Sequence, residues 1–196
     1  APNIDDGPGR RVTLTFQPDA VNAADDPSIQ FSTGGRSMAF TIPHGTETAA
    51  SFSLQTGSVA GAITLSVTWQ AGGVTLPAPA GLSQTIRITR AAPVITTVAA
   101  STTSAGLQVL VTGYSNTREV TEAVVKFTAV ASQTLQTTSV TGPLTAAANT
   151  WFQGASSDQY GSQFILTLPF TVTGGSTGVV ESVSVTLSNS VGASNS

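Results

Sequence analysis

The chain has no cysteine, one lysine and one histidine among its 196 residues. Without a thiol there is no disulfide, no thiolate nucleophile and no Cys-ligated zinc. His44 alone supplies too few ligands for a zinc site. Charged residues make up only 9% of the sequence, and the cations cluster no further than Arg10-Arg11. The basic footprint that nucleic acid or an anionic lipid surface requires is therefore missing. Hydrophobic runs are short as well: none approaches the roughly 20 residues that span a bilayer, so no membrane insertion is expected from this segment.

What fills the space is hydroxyl. Ser and Thr together exceed a quarter of the residues, and they alternate with aliphatic side chains, as in Gly61-Ala-Ile-Thr-Leu-Ser-Val-Thr-Trp-Gln70 and Glu181-Ser-Val-Ser-Val-Thr-Leu-Ser-Asn189. A period of two writes strands with one face in a core and the other in water. Thr is β-branched and solvates without a long, flexible side chain, so it suits the outer face. No stretch carries comparable helical periodicity, and the sequence predicts an all-β fold. A hydrophobic share of 40% is too high for a disordered chain.

Strands are predicted at 11–17, 28–32, 37–42, 50–55, 62–70 and 84–90, then at 94–100, 107–113, 119–129, 135–140, 164–173 and 179–188. Gly34-Gly35, Gly72-Gly73 and the Pro77–Gly81 stretch mark loops. Six or so short strands in each half, with turns between them, is the pattern of an immunoglobulin-like sandwich. We expect two in tandem, residues 1–92 and 93–196; the competing reading is one large sandwich. Pro93 confines Ala92 to extended backbone, which leaves almost no linker and limits bending. Pro43 and Pro169 fall in or beside strands, where the lost donor marks an edge or a bulge. No leader opens the sequence at Ala1, and both ends read as cut edges of a longer polypeptide, so a targeting segment or anchor would lie outside it.

Several stretches resemble a known kind of module. They are Val12-Thr-Leu-Thr-Phe-Gln-Pro-Asp19, Asp25-Asp-Pro-Ser-Ile-Gln-Phe-Ser-Thr-Gly-Gly-Arg36, Phe40-Thr-Ile-Pro-His-Gly45, Gln55-Thr-Gly-Ser-Val-Ala-Gly-Ala-Ile-Thr-Leu65 and Arg118-Glu-Val-Thr-Glu122. Together they resemble tandem immunoglobulin-like modules near the ends of large secreted or cell-surface proteins of soil bacteria, notably acidobacteria. The resemblance implies an extracellular setting and a non-catalytic role, as a spacer or in adhesion. Its implied partners are the neighbouring domains of the parent protein and, in the recognition role, a carbohydrate or a surface protein.

Few residues are candidates for chemistry. His44 sits in Ile42-Pro-His-Gly-Thr46, a turn after a strand, with no Gly-x-Ser-x-Gly elbow to make a triad of it. No pair of carboxylates is placed across a cleft for glycoside hydrolysis, and an enzyme is not expected. Asp5, Asp6, Asp19, Asp25 and Asp26 fall in first-half loops. Calcium takes hard oxygen ligands from such loops, so Asp5, Asp6, Asp25 and Asp26 are its candidate ligands. The Asp-x-Asp-x-Asp-Gly spacing is absent, and Asp-Gly and Asp-Pro are also ordinary turn chemistry. Trp69 shares a face with Ile63, Leu65 and Val67 and reads as core. Trp151, Phe152 and Tyr160 lie in a polar, Gly-containing stretch read as a loop. They are candidates to stack on a sugar, or to plug the end of the second sandwich. Arg118, Glu119 and Glu122 read as a surface charge cluster worth little.

Overall fold

The computed structural model describes residues 9–40, 51–71, 74–76, 81–173 and 176–195. The first half holds β1 (Gly9–Pro18), β2 (Ile29–Phe31), β3 (Ser37–Phe40), β4 (Leu54–Thr56), β5 (Gly61–Ala71), β6 (Val74–Leu76) and β7 (Ser83–Ile88). β1 and β5 run antiparallel along their whole length, so Val12 opposes Val67, Leu14 opposes Leu65 and Phe16 opposes Ile63. β3 extends the sheet on the β1 side, and β6 and β7 pair with β5. β2 and β4 form a separate two-stranded sheet. The period of two then does its work: Val12, Leu14 and Ile63 turn inward and are buried with Ile29 and Phe31 of β2. Phe52 meets Phe40 edge-on at 5.3 Å between ring centroids, a favoured geometry for aromatic pairs. Trp69, at the far end of the β5 face, is half-buried beneath the Arg10 guanidinium, 5.2 Å from its ring centroid.

The second half holds β8 (Val94–Thr103), β9 (Gly106–Tyr114), β10 (Glu122–Ala129), β11 (Ser139–Pro143), α1 (Thr145–Phe152), α2 (Ala155–Asp158), β12 (Gln163–Thr171), a 3₁₀ turn (Thr177–Val179) and β13 (Val180–Ser188). Two three-stranded antiparallel sheets result, ordered β12-β9-β8 and β11-β10-β13. Leu107, Val109, Val111 and Phe164 from the first are buried with Ala123, Val125, Val185 and Leu187 from the second. Each such fully buried aliphatic contributes about 1.5–3 kcal/mol relative to an exposed position. The fold is all-β with antiparallel sheets, and the cores of the two halves are separate clusters.

Three details depart from the sequence reading. The stretch holding Trp151 and Phe152 is the end of helix α1, not a loop. Its Ala146-Ala-Ala148 run is the best helix-forming composition available, yet eight residues are too few to show a period. The strand expected at 135–140 is β11, Ser139–Pro143, with Val140 opposite Val125. Pro169 does lie on an edge strand, but it removes no ladder bond. Gln163 turns its N–H to the Tyr160 carbonyl and its own carbonyl to the Trp151 indole, away from β9. Every second residue of β12 shares that direction, Pro169 included. Asp5, Asp6, Pro43 and His44 lie outside the described residues. Among the described residues, no helix is long and apolar enough to cross a membrane.

Candidate functional site: a buried polar joint

Where the two cores meet, the chain concentrates polar groups that are sealed from water. Asp26 opens the turn Asp26-Pro-Ser-Ile29, closed by the Ile29 N–H on the Asp26 carbonyl at 3.0 Å. Its side chain is fully buried. Oδ1 accepts the Ser28 N–H at 2.9 Å. Oδ2 accepts the N–H groups of Ser58 at 2.6 Å and Val59 at 3.0 Å, and the Ser58 hydroxyl at 3.2 Å. Such charge-assisted bonds are about twice as strong as neutral ones, and burying the carboxylate without them would be prohibitive.

Two glycines let the backbone close on this carboxylate. Gly57 has φ of 65°, and a Cβ there would stand 2.5 Å from Asp26 Oδ2. Gly161 belongs to the other half; its φ is 61°, and its Cβ would stand 2.7 Å from Ser58 Oγ and 3.0 Å from Asp26 Oδ2. Left-handed backbone and close approach both demand glycine at these positions. Beside Gly161, Ser162 donates its N–H to Ser58 Oγ at 3.0 Å and its hydroxyl to the Ser58 carbonyl at 2.9 Å.

The second-half side of the joint is the turn Ser115-Asn-Thr-Arg118, closed by the Arg118 N–H on the Ser115 carbonyl at 2.8 Å. Two of its carbonyls receive first-half donors: Ala60 N–H to Asn116 at 2.9 Å and Val21 N–H to Thr117 at 2.8 Å. Asn22 adds its amide to the Arg118 carbonyl at 2.8 Å and to Asn149 Oδ1 at 3.0 Å. The Asn116 side chain grips residues around 90 by donating to the Thr89 carbonyl and accepting from the Ala91 N–H.

Arg118 anchors that turn from inside. It is fully buried and sits at φ 51°, a left-handed conformation that costs a non-glycine residue about 1–3 kcal/mol. The guanidinium donates to the carbonyls of Gly161 and Phe152, to Ser157 Oγ at 2.8 Å and to Asp158 Oδ1 at 3.2 Å. It also lies over the Phe152 ring, 5.3 Å from its centroid. Burial pulls its pKa below the ordinary arginine value, while the charges of Asp158 and Asp26 oppose that shift. One side chain thus ties α1, α2 and the Gly161 turn to the strand connection that faces the first half.

The sequence candidates fall around this joint in different ways. Asp26 is at its heart. Asp25 is on the surface, paired with Arg36 at 2.8 Å, and Asp19 pairs with Arg90 at 2.6 Å. Among the described residues, no three His, Asp or Glu side chains gather to hold a metal ion. Two of the three aromatics come together, and the third turns into the core. Phe152 is core, edge-on to Phe164. Half-buried Trp151 donates its indole N–H to the Gln163 carbonyl at 3.0 Å and stacks on Tyr160 at 6.1 Å, and Tyr160 is 48% exposed. Beside Trp151 an apolar cavity of ≈ 150 Å³ opens between α1 and β12, lined by Leu144, Ala148, Phe164, Ile165 and Leu166.

Arg118 corrects the reading of a surface charge cluster. Its acid is Asp158 rather than Glu119, whose carboxylate caps the Ser190 N–H instead. Ser58, Ser162 and the two glycines were missed. Their one signal was a Gly-Ser dipeptide, Gly57-Ser58 and Gly161-Ser162, which Gly175-Ser176 repeats elsewhere in the sequence. Comparison with protein-family models, with curated proteins and with solved structures finds no match to this chain.

Proposed function

We propose that the chain is a non-catalytic structural module of a larger secreted or cell-surface bacterial protein. It consists of two immunoglobulin-like sandwiches, residues 1–92 and 93–196, held at a fixed angle. The observation that carries this reading is the joint: direct backbone and side-chain hydrogen bonds cross from Val21, Asn22, Ser58 and Ala60 to Asn116, Thr117, Arg118 and Ser162. Domains meant to move are joined by linkers with few crossing contacts; here the crossing bonds are many, and Ala60, Thr117, Arg118 and Ser162, which help to make them, are buried. The strand pairing of the second half supports the sandwich reading, since its first, second and fifth strands share one sheet and its third, fourth and sixth share the other. The Ser/Thr-rich strands and the resemblance of the sequence to bacterial surface modules support the setting. Small-angle X-ray scattering tests it: one rigid arrangement should account for the whole curve, and a curve requiring an ensemble of inter-domain angles would overturn it.

A recognition role is the second reading, favoured by Tyr160. Its ring is exposed while its stack on Trp151 holds it flat, the presentation that sugar faces and aromatic partners use. A glycan array run with calcium and with EDTA tests this. Binding lost in Tyr160→Ala would support it, and a blank array in both buffers would count against a carbohydrate.

A further inference from the structure

The cavity beside Trp151 is a hole into the second core rather than a dent in its surface. Val120, Phe152 and Phe164 line it, and all three are buried. One wall is a single face of α1: Leu144 at the cap, then Ala147, Ala148 and Trp151, recurring at helical spacing. The two alanines on that face leave the space open, since neither carries more than a methyl group toward β12.

The opposite wall adds a second, independent observation. Alternate residues of β12 turn their backbone groups to β9: the Ser162 carbonyl accepts the Ser115 N–H at 3.0 Å, and Phe164 and Leu166 continue in that direction. Gln163 points the other way, where the Trp151 indole meets its carbonyl at 3.0 Å, so α1 stands against this edge. Ile165 is the next residue facing it. Its side chain is 72% exposed, yet Ile165 lines the cavity, so what it offers there is main chain, one N–H and one carbonyl. Among the described residues no hydrogen bond reaches either group.

We propose that this cavity binds a small phenol, one aromatic ring bearing a hydroxyl. Volume sets the ring: an apolar cavity of about 150 Å³ lined by Leu, Ile and Phe takes up benzene, and this one has ≈ 150 Å³ between leucines, phenylalanines and an indole. Chemistry sets the substituent. No charged side chain lines the cavity, so an ion would be buried without a partner. A sugar fails for the same reason, because its several hydroxyls would lose water and find one N–H and one carbonyl between them. A single hydroxyl fits, since it donates to the Ile165 carbonyl and accepts from the Ile165 N–H. Toluene fills the same hole but leaves both groups unpaired. The site is separate from the exposed Tyr160 face on which the sugar reading rests.

The probes are p-cresol and toluene, titrated into the whole chain and followed by amide chemical shifts. Transfer out of water alone favours toluene, because a hydroxyl resists leaving water, so the order of the two affinities reports the Ile165 edge. The proposal predicts saturable shifts at Ala148, Phe164, Ile165 and Leu166. It predicts that p-cresol binds roughly three- to ten-fold tighter than toluene, the worth of one net hydrogen bond. Ala147→Phe lays a ring over the mouth from an exposed position on α1 and should abolish both titrations without lowering Tm. The proposal is overturned if no saturable shift appears around the cavity, or if toluene binds as tightly as p-cresol. It is equally overturned by p-cresol binding that survives Ala147→Phe, or by shifts confined to Tyr160 and its neighbours, which would put the ring on the exposed stack.

Discussion

Ser162 holds Ser58 by two hydrogen bonds, both of which it donates. Ser162 gives its N–H to the Ser58 hydroxyl and its hydroxyl to the Ser58 carbonyl, across 104 residues of sequence. The Ser58 hydroxyl passes the chain on to Asp26. A carboxylate of the first half, a serine pair and the Gly161 turn of the second half thus form one continuous network, which Arg118 closes by gripping the Gly161 carbonyl. Inside such a network every polar group depends on its neighbours, because an unpaired one has no water to turn to.

Adjacent aspartates should therefore behave very differently. Asp26→Asn sets an amide against the N–H groups it must accept from, and it should cost about 2–4 kcal/mol. Asp25→Asn loses a surface ion pair and should cost less than about 1 kcal/mol. Urea unfolding of the two variants checks this, and equal losses would contradict it.

Gly161→Ala puts a methyl where Ser58 Oγ and Asp26 Oδ2 leave no space. The expected cost is about 1–3 kcal/mol, concentrated at the joint. Hydrogen exchange should quicken at Ser58, Val59 and Ser162 while the amides of Val111 and Val125 keep their protection. Uniform loosening of both cores would show that Gly161 serves the sandwich rather than the joint.

How much of this could be read from the residues depends on which forces are local. The strands were legible because alternation such as Val183, Val185 and Leu187 between Ser and Thr is a one-dimensional record of which face is buried. Helix α1 was not, since its eight residues, about two turns, leave no period. Arg118 was illegible for a deeper reason: its partners Phe152, Ser157 and Gly161 are carbonyls and a hydroxyl far along the chain, and nothing local distinguishes a buried arginine from a solvated one. The same holds for Asp26, whose neighbour Asp25 looks identical in sequence and ends on the surface.

Arg118→Lys should lose the fork that spans Gly161, Phe152 and Ser157 at once, since an ammonium cannot reproduce a planar guanidinium. The expected loss is about 2–4 kcal/mol. The sign of the pH effect follows from the lowered pKa. A base whose folded pKa is depressed carries a penalty while charged, relieved only as pH rises through that pKa into the strongly alkaline range. From about pH 5 to 9 Arg118 stays protonated and contributes no slope to stability. Denaturant midpoints of wild type and Arg118→Met, which puts no titratable group at the site, should run parallel across that range; a gap that changes with pH would contradict the assignment.

Calcium should leave the described aspartates indifferent. The Asp26 oxygens are occupied by N–H and hydroxyl donors and Asp25 faces Arg36, so an ion would have to displace them. Millimolar calcium against EDTA should shift Tm by less than about 1 °C, where a site filled a hundred-fold above its Kd would add about 2.7 kcal/mol. A rise of several degrees that disappears in Asp25→Asn would refute this.

The claim on which the account turns is that the two halves move as one body, and backbone ¹⁵N relaxation measures it directly. Amides of β5 and β9 should report the same rotational correlation time, the value for the intact chain, and residues 89–93 should be as ordered as the strands. Two shorter, unequal correlation times with a mobile stretch at 89–93 would mean that the buried bonds around Asp26 and Arg118 do not fix the joint.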